Sequence, residues 1–313
     1  LLDRYILCSD VVVPTGFNLD LARAVYQADL GNFDSEKDSV DGQMKTVARI
    51  PFIAEEESVS RIFAILDMVM TNIMGKLTIN LKPLPLYITL PDCITDAVLA
   101  DWKEKSEFSK YISHVSLRQE KGNQFLEYAL NEITDHDAIL CVAIDDPIRR
   151  FDEYAQERLL FSSQTPWGII PSEGGVGLVF TKRAVVDTLK LQPESKVDSF
   201  FIDRRADDGR ACSRLARVNG KTSTNFGYIY SDMTNQRHHV EDYGFAIGAR
   251  SELFPNPEAV NLINEMWGNL GDASSLTTLT LASNEVSSEM CSTLFLFGDR
   301  GTRAIMTISK YGV

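Results

Sequence analysis

Residues that build metal and redox sites are scarce in this chain of 313 residues, which has five cysteines and four histidines. Cys8, Cys93, Cys141, Cys212 and Cys291 lie far apart, and no two have C-x-x-C spacing. Neither a disulfide framework nor a structural zinc site is indicated, and no cofactor is implied. This thiol usage reads as a reducing, cytoplasmic compartment. Positive charge is also short: Lys and Arg total 31 against 44 Asp and Glu, a formal net charge of -13. That balance argues against a nucleic-acid backbone or an anionic membrane as partner, though not against a small anion in a local basic pocket. No basic segment followed by an apolar one opens the chain, so no secretory signal is visible; the first residue is Leu rather than Met. The longest apolar run, residues 62–74, is interrupted by Asp67 and reads as too short to span a bilayer, hence as part of a soluble protein. Gly174-Gly175-Val176-Gly177 lacks the Lys-Ser/Thr that a nucleotide loop requires.

What is present is globular. With 44% hydrophobic and 24% charged residues, a disordered or coiled-coil chain is excluded. Residues 4–13 read as a buried strand, stopped by Pro14-Thr15-Gly16, after which Asn18 caps a helix over 19–28. Residues 31–44 are polar and read as a surface loop. Ser58 is placed to cap a helix with Ile62, Ile65, Leu66, Val69 and Ile73 on one face. Strands follow at 86–90, 112–117 and 138–144, with a helix holding Phe125, Leu126, Ala129 and Ile133 between the last two. That order predicts a parallel βαβ unit. Residues 169–180 read as paired antiparallel strands and 191–210 as an exposed connection.

A second half repeats the rhythm in chemistry and order, not in residue identity. It has a strand at 228–230, a helix over 257–266, and a small-residue turn at 268–275 opening a helix with Leu276, Leu279 and Leu281. A hairpin at 293–308 closes it. The division is placed at 1–205 and 206–313, and both apolar helices are expected in a middle layer, covered on more than one side.

Three segments together resemble the thiolase-like superfamily, specifically the β-ketoacyl synthases. VVVPTGFNLDLARAV is similar to their first strand, turn and helix. WGIIPSEGGVGLVFTKRAV is similar to their glycine-rich hairpin, retaining Glu173, Gly174 and Gly177 with Ser172 in place of the first glycine, and FGDRGTRAIMTIS is similar to the final hairpin. The resemblance implies an α/β thiolase-like fold of two duplicated halves stacked in five layers, helix-sheet-helix-sheet-helix. It also implies a homodimer through the strand at 112–117 or a neighbour, with an acyl thioester or acyl carrier protein as possible partner.

The same resemblance locates a catalytic site from which this chain departs. Active members carry a cysteine at a strand-to-helix elbow, where the helix N-terminus activates the thiol. Here the elbow is Arg118-Gln119-Glu120-Lys121-Gly122, and Gln119 takes the nucleophile's place. A glutamine there is found in members that decarboxylate or that partner an active subunit. Asp232 stands nearest the usual histidine of the His-Gly-Thr loop. Asn269, in WGNLGDASS, matches the amide of the starter-unit synthase branch, or else simply makes a turn. His238 and His239 read as a solvated turn that cannot chelate one ion, Cys141 as core, and Arg149-Arg150, Lys182-Arg183 and Arg204-Arg205 as solvated faces able to meet a phosphate. The reading is a non-catalytic binding or assembly subunit. The alternatives are a malonyl-thioester decarboxylase, or an acyltransferase using a nucleophile such as Ser116 beside His114.

Overall fold

The computed structural model describes residues 3–312 apart from 32, 222–226, 255 and 299–300. The apolar opening segment forms β1 (Arg4–Val12), buried along nearly its whole length. Asn18 caps α1 (Leu19–Gln27) by accepting from Leu21 N at 2.9 Å. Gly16 lies so close under that helix that a Cβ would sit 2.4 Å from Ala22 N. Residues 31–44 are not a bare loop: β2 (Asp34–Lys37) and β3 (Met44–Val47) make a hairpin. Its acidic turn closes because Lys45 reaches Asp41 at 2.7 Å and Asp38 at 3.8 Å.

Glu57, not Ser58, caps α2 (Ser58–Lys76), its carboxylate accepting from Val59 N and Ser60 N. By length and composition α2 could cross a membrane, contrary to the reading of residues 62–74. Its Ile62, Ile65, Val69 and Ile73 are instead buried in the core cluster on the outer face of a sheet. That sheet contains β4 (Leu84–Thr89), β5 (Ile112–Leu117), β6 (Ala138–Asp145) and β7 (Gly174–Lys182) beside β1. α3 (Asp96–Lys105), α4 (Gly122–Glu132), α5 (Phe151–Gln156) and α6 (Arg183–Leu189) fill the connections. β5 and β6 are parallel as expected, but both pair with β4, which lies between them. The expected pair of strands at 169–180 is one long strand, β7, antiparallel to both β1 and β6.

The stretch at 191–210 is not a loop. β8 (Ser195–Asp203) buries Ser195, Val197 and Ser199 in a period of two, a strand signal hidden by its serines. It lies before the 205/206 division, yet it pairs with β12 (Arg303–Lys310) of the second sheet. α7 (Ala211–Asn219), β9 (Tyr228–Ser231) and α8 (Arg237–Ala249) follow. The helix expected over 257–266 divides into β10 (Val260–Leu262), parallel to β9, and the short α9 (Ile263–Trp267). α10 (Ser274–Glu285), β11 (Ser292–Leu296) and β12 complete the chain, with β11 and β12 antiparallel. Asp299 and Arg300 of that hairpin's connection lie outside the described residues.

The duplication is legible in the strand order. The first sheet runs β1-β7-β6-β4-β5, and the second runs β8-β12-β11, with β9 and then β10 alongside β11. First, last, penultimate, second, third is the order in both. Among the described residues the two sheets join where Arg4–Ile6 of β1 meet Ser195–Val197 of β8. Between them lie α4 and α10, packed on each other, with Phe125, Leu126, Ala129, Leu276 and Leu279 in one core cluster. α2 and α3 cover the outside of the first sheet, and α7 and α8 the outside of the second. The result is a five-layered mixed α/β fold in which each half buries its apolar helix against the other.

Candidate functional site

Four junctions meet at one end of the middle layer: the elbow from β5 into α4, the loop from β9 into α8, the turn from α9 into α10, and the exit of β11. A cleft of about 420 Å³ opens there, lined among others by Asp232, His239, Asn269, Ser274 and Gly298.

Asp232 leaves β9 buried, and its carboxylate is fully engaged. Oδ1 accepts from Phe297 N at 2.6 Å, and Oδ2 from Gly298 N at 3.3 Å and Ser275 Oγ at 3.3 Å. Burial raises its pKa above the ordinary carboxylate range, against the lowering effect of the two amides. A pair of successive backbone amides in a dry site is the arrangement that stabilises an oxyanion, and here the protein's own side chain occupies it. Ser275 has one hydroxyl proton, shared between Asp232 Oδ2 and the nearer Asn123 Oδ1 at 2.9 Å, and Asn123 Nδ2 donates to Leu296 O at 3.1 Å. Asn123 lies in the first turn of α4, so the end of that helix is filled by side chains. Gly298 has φ +49°, and a Cβ there would lie 2.7 Å from Asn123 Nδ2, so the close approach requires glycine.

Gln119 does not join this group. It is exposed and outside the cleft, because the elbow turns it away from the filled helix end. Its neighbour Arg118 chelates Glu120 at 2.8 and 3.0 Å and stacks 3.9 Å over the Tyr128 ring. Glu120 is therefore a neutralised, pKa-lowered carboxylate rather than a bare negative charge. Lys121 turns the other way, donating to Leu90 O and standing 4.0 Å from Asp272. Burial and nearby Asp145 push the Asp272 carboxyl up to about 6.

Asn269 lines the cleft beside Asp232. Its Oδ1 accepts from Gly271 N at 2.8 Å, which is the turn-making role; its carbamoyl NH₂ is the part left to meet a ligand. Its backbone is tied to the approach to β7 through Ile170 O at 2.7 Å and Ser172 N at 3.0 Å.

His239 is the residue that the sequence does not reveal. His238 and His239 belong to the first turn of α8, not to a solvated turn, and His239 is buried with its ring 4.6 Å from that of Phe297. Its Nδ1 accepts from Thr234 N at 3.0 Å, which places the ring proton on Nε2. Burial and the nearby Arg303 push its pKa down to about 2, which favours the neutral imidazole with Nε2–H as donor. Nothing in the polar Gln-Arg-His-His run signals this, because burial is not readable from four polar letters.

The remaining candidates separate. Cys141 is fully buried in β6, and burial pushes its thiol well above the ordinary range. His114 is exposed on β5 against Tyr87 and His136, and contacts Ser113 at 3.5 Å rather than Ser116. Arg150 lies 5.3 Å over the Tyr154 ring, Lys182 is 3.7 Å from Asp137, and Arg204 pairs with Glu127. Among the described residues no group of three or more His, Cys, Asp or Glu is placed to hold a metal ion. Glu173 is structural: its carboxylate accepts from Arg61 Nε at 3.0 Å and Ile50 N at 2.7 Å, wholly buried.

The five-layered fold is the thiolase-like one of solved ketosynthase structures. No family model matches the sequence, and no curated protein matches it. Solved structures carry the likeness. A type II polyketide synthase acyl-carrier protein in complex with its ketosynthase, bound to the hexaketide, aligns with a TM-score of 0.72 at 13% identity, covering 98% of this chain and 99% of that one. The ishigamide ketosynthase/chain length factor aligns with a TM-score of 0.69 at 14% identity over 99% and 100%. A β-ketoacyl synthase from Burkholderia phymatum aligns with a TM-score of 0.70 at 10% identity over 99% and 100%. At such identities the likeness is one of fold.

Proposed function

We propose that this chain is a non-catalytic subunit of ketosynthase type, serving in binding or assembly. One observation carries the reading: the amide pair of Phe297 and Gly298 is filled by Asp232, at the same end of α4 that lacks a thiol. Condensation needs a thiolate to hold an acyl group and donors to stabilise an enolate. Here the elbow residue Gln119 faces solvent, and the helix end is closed by Asn123 and Ser275. Intact-protein mass spectrometry after incubation with acetyl- and malonyl-coenzyme A, and with acylated carrier protein, is expected to find no covalent acyl adduct. A stoichiometric adduct, lost on mutating one residue, would sink the proposal.

A second reading has one observation in its favour. The neutral His239 ring and the Asn269 amide line the same cleft, and two uncharged donors are what a thioester enolate requires. The carboxylates of Glu153 and Glu157 in that cleft oppose the approach of a malonyl group. Release of CO₂ from malonyl-coenzyme A above the uncatalysed rate would favour a decarboxylase over a scaffold.

Assembly through β5 follows from the same proposal. Among the described residues β5 pairs only with β4, which leaves its other edge open there, and Ser113 and His114 on it are exposed. Pairing with a second copy or with an active partner hides that edge. One of the similar structures is described as a ketosynthase/chain length factor and another as a ketosynthase with its acyl-carrier protein; a comparable pairing and carrier contact are proposed here. Sedimentation of the purified chain at micromolar concentration is expected to give a dimer. A single-chain mass throughout, with and without an active ketosynthase, would count against this assembly.

A further inference from the structure

Two of the four histidines meet at β5, the strand that β4 leaves unpaired on its other side among the described residues. Val115 and Leu117 turn to the outer core, so His114 and Ser116 lie on the α4 side of the strand. The His114 ring stands 5.8 Å from that of Tyr87 and 6.4 Å from that of His136. Tyr87 Oη lies 3.2 Å from both His136 Nε2 and Glu132 Oε2.

Each neighbouring element brings titratable or charged groups to this pair. β4 supplies Tyr87, and α4 supplies Tyr128 and Glu132; burial raises both tyrosines, which therefore stay neutral. Arg118, just past the end of β5, is held by Glu120 at 2.8 Å. Lys103 of α3 donates to Ser113 O at 3.4 Å. Asp135 and Asp137 flank His136 in sequence, and Asp137 faces Lys182 at 3.7 Å. The hydrogen bonds of Tyr87 bring Glu132 into the cluster beside His136, while His114 itself contacts Ser113 Oγ at 3.5 Å and stands exposed on the edge.

Pairing brings two such histidines together. In a two-fold antiparallel pair that continues the sheet, the α4 faces of both copies align, so residues directly opposite each other must share a face. Only the registers centred on His114 or on Val115 then pair five of the six residues of β5. Centred on His114, the two copies of that side chain are directly opposed, with Cβ atoms about 4.5–5.5 Å apart. Centred on Val115, each His114 faces Ser116 of the partner subunit, and the two histidines are diagonal neighbours at about 7–8 Å. We propose that β5 pairs with β5 of a second copy in one of these registers and that protonation of His114 opens the pair. The proposal rests on the assembly through β5 put forward above. Two neutral imidazoles can share the axis, whereas two imidazolium ions repel there with little water between them. The pair then binds fewer protons than the separate chains, so association is strong above the range in which histidine titrates and is lost as pH falls through it.

Sedimentation equilibrium of the full chain at matched ionic strength compares about pH 8 with about pH 5.5. The dimer dissociation constant is expected to be at least about tenfold larger at the lower pH. His114→Gln, uncharged throughout, is expected to stay dimeric at both, and His114→Lys, charged throughout, to be monomeric at both. Asp146 and Asp272, whose carboxyls burial pushes up to about 6, titrate in the same range and are present in every variant, so His114→Gln separates their effect from that of the histidine. Equal dissociation constants at the two pH values, undiminished pH dependence or loss of the dimer in His114→Gln, or a His114→Lys dimer as tight as the parent would each overturn the proposal. A parent chain that is monomeric at both pH values would sink the assembly reading itself, a result distinct from a dimer indifferent to pH.

Discussion

Replacing Asp232 by alanine is expected to lower stability by about 2–4 kcal/mol, because it strands two buried amide donors at about 1–3 kcal/mol each. The donors are Phe297 N and Gly298 N, and Ser275 loses one of its two acceptors. Asp232→Asn should cost less: its amide oxygen can still accept from Phe297 N, while its NH₂ faces the longer contacts at Gly298 N and Ser275. The cavity left by alanine is lined by those same donors, so added formate should restore part of the melting temperature of Asp232→Ala and leave the parent chain unmoved. Urea denaturation of the three proteins, with and without formate, makes the comparison. If Asp232→Ala were as stable as the parent, the amide pair would be satisfied some other way, and the view of Asp232 as its occupant would fail.

Glu173→Ala is expected to be the most damaging single change, at about 3–5 kcal/mol, the usual range for removing one partner of a buried ion pair. Arg61 remains buried after the change, with only the carbonyls of Ile50, Ile53 and Glu55 to accept from it, and Ile50 N loses its acceptor. The pair ties α2 to the approach to β7, so its loss should loosen the cover of the first sheet. Glu173→Gln keeps the shape and an acceptor but not the charge, and should fall between the two. Denaturation midpoints at constant m-value would establish the order. A loss below about 1 kcal/mol for Glu173→Ala would mean that Arg61 finds water or another partner. Glu173 drew notice in the sequence as part of a family-like hairpin, and its place is mechanical.

Much of the architecture is written in local pattern. Continuous apolar runs such as 138–144 mark strands covered on both faces, and the spacing of Ile62, Ile65, Val69 and Ile73 marks a helix on a sheet. The paired apolar helices with Phe125, Leu126, Leu276 and Leu279 imply a middle layer, since each carries more apolar surface than one sheet can cover. The missing elbow cysteine is equally a property of the letters alone. Other elements are set by distant partners. β8 is polar enough to read as a connection, and it becomes a strand because β12, a hundred residues on, offers it a ladder. His239 is a buried neutral donor only because α8 starts where it does and Phe297 and Arg303 close around it. Asp232, taken alone, is a carboxylate in a polar loop. Two amides from the end of β11 turn it into the occupant of an anion site, and no spacing within residues 228–235 encodes the arrival of residues 297 and 298. Periodicity and composition act over a few residues and so specify elements. Hydrogen-bond saturation in a buried site depends on groups brought together across the whole chain, and is settled only by packing.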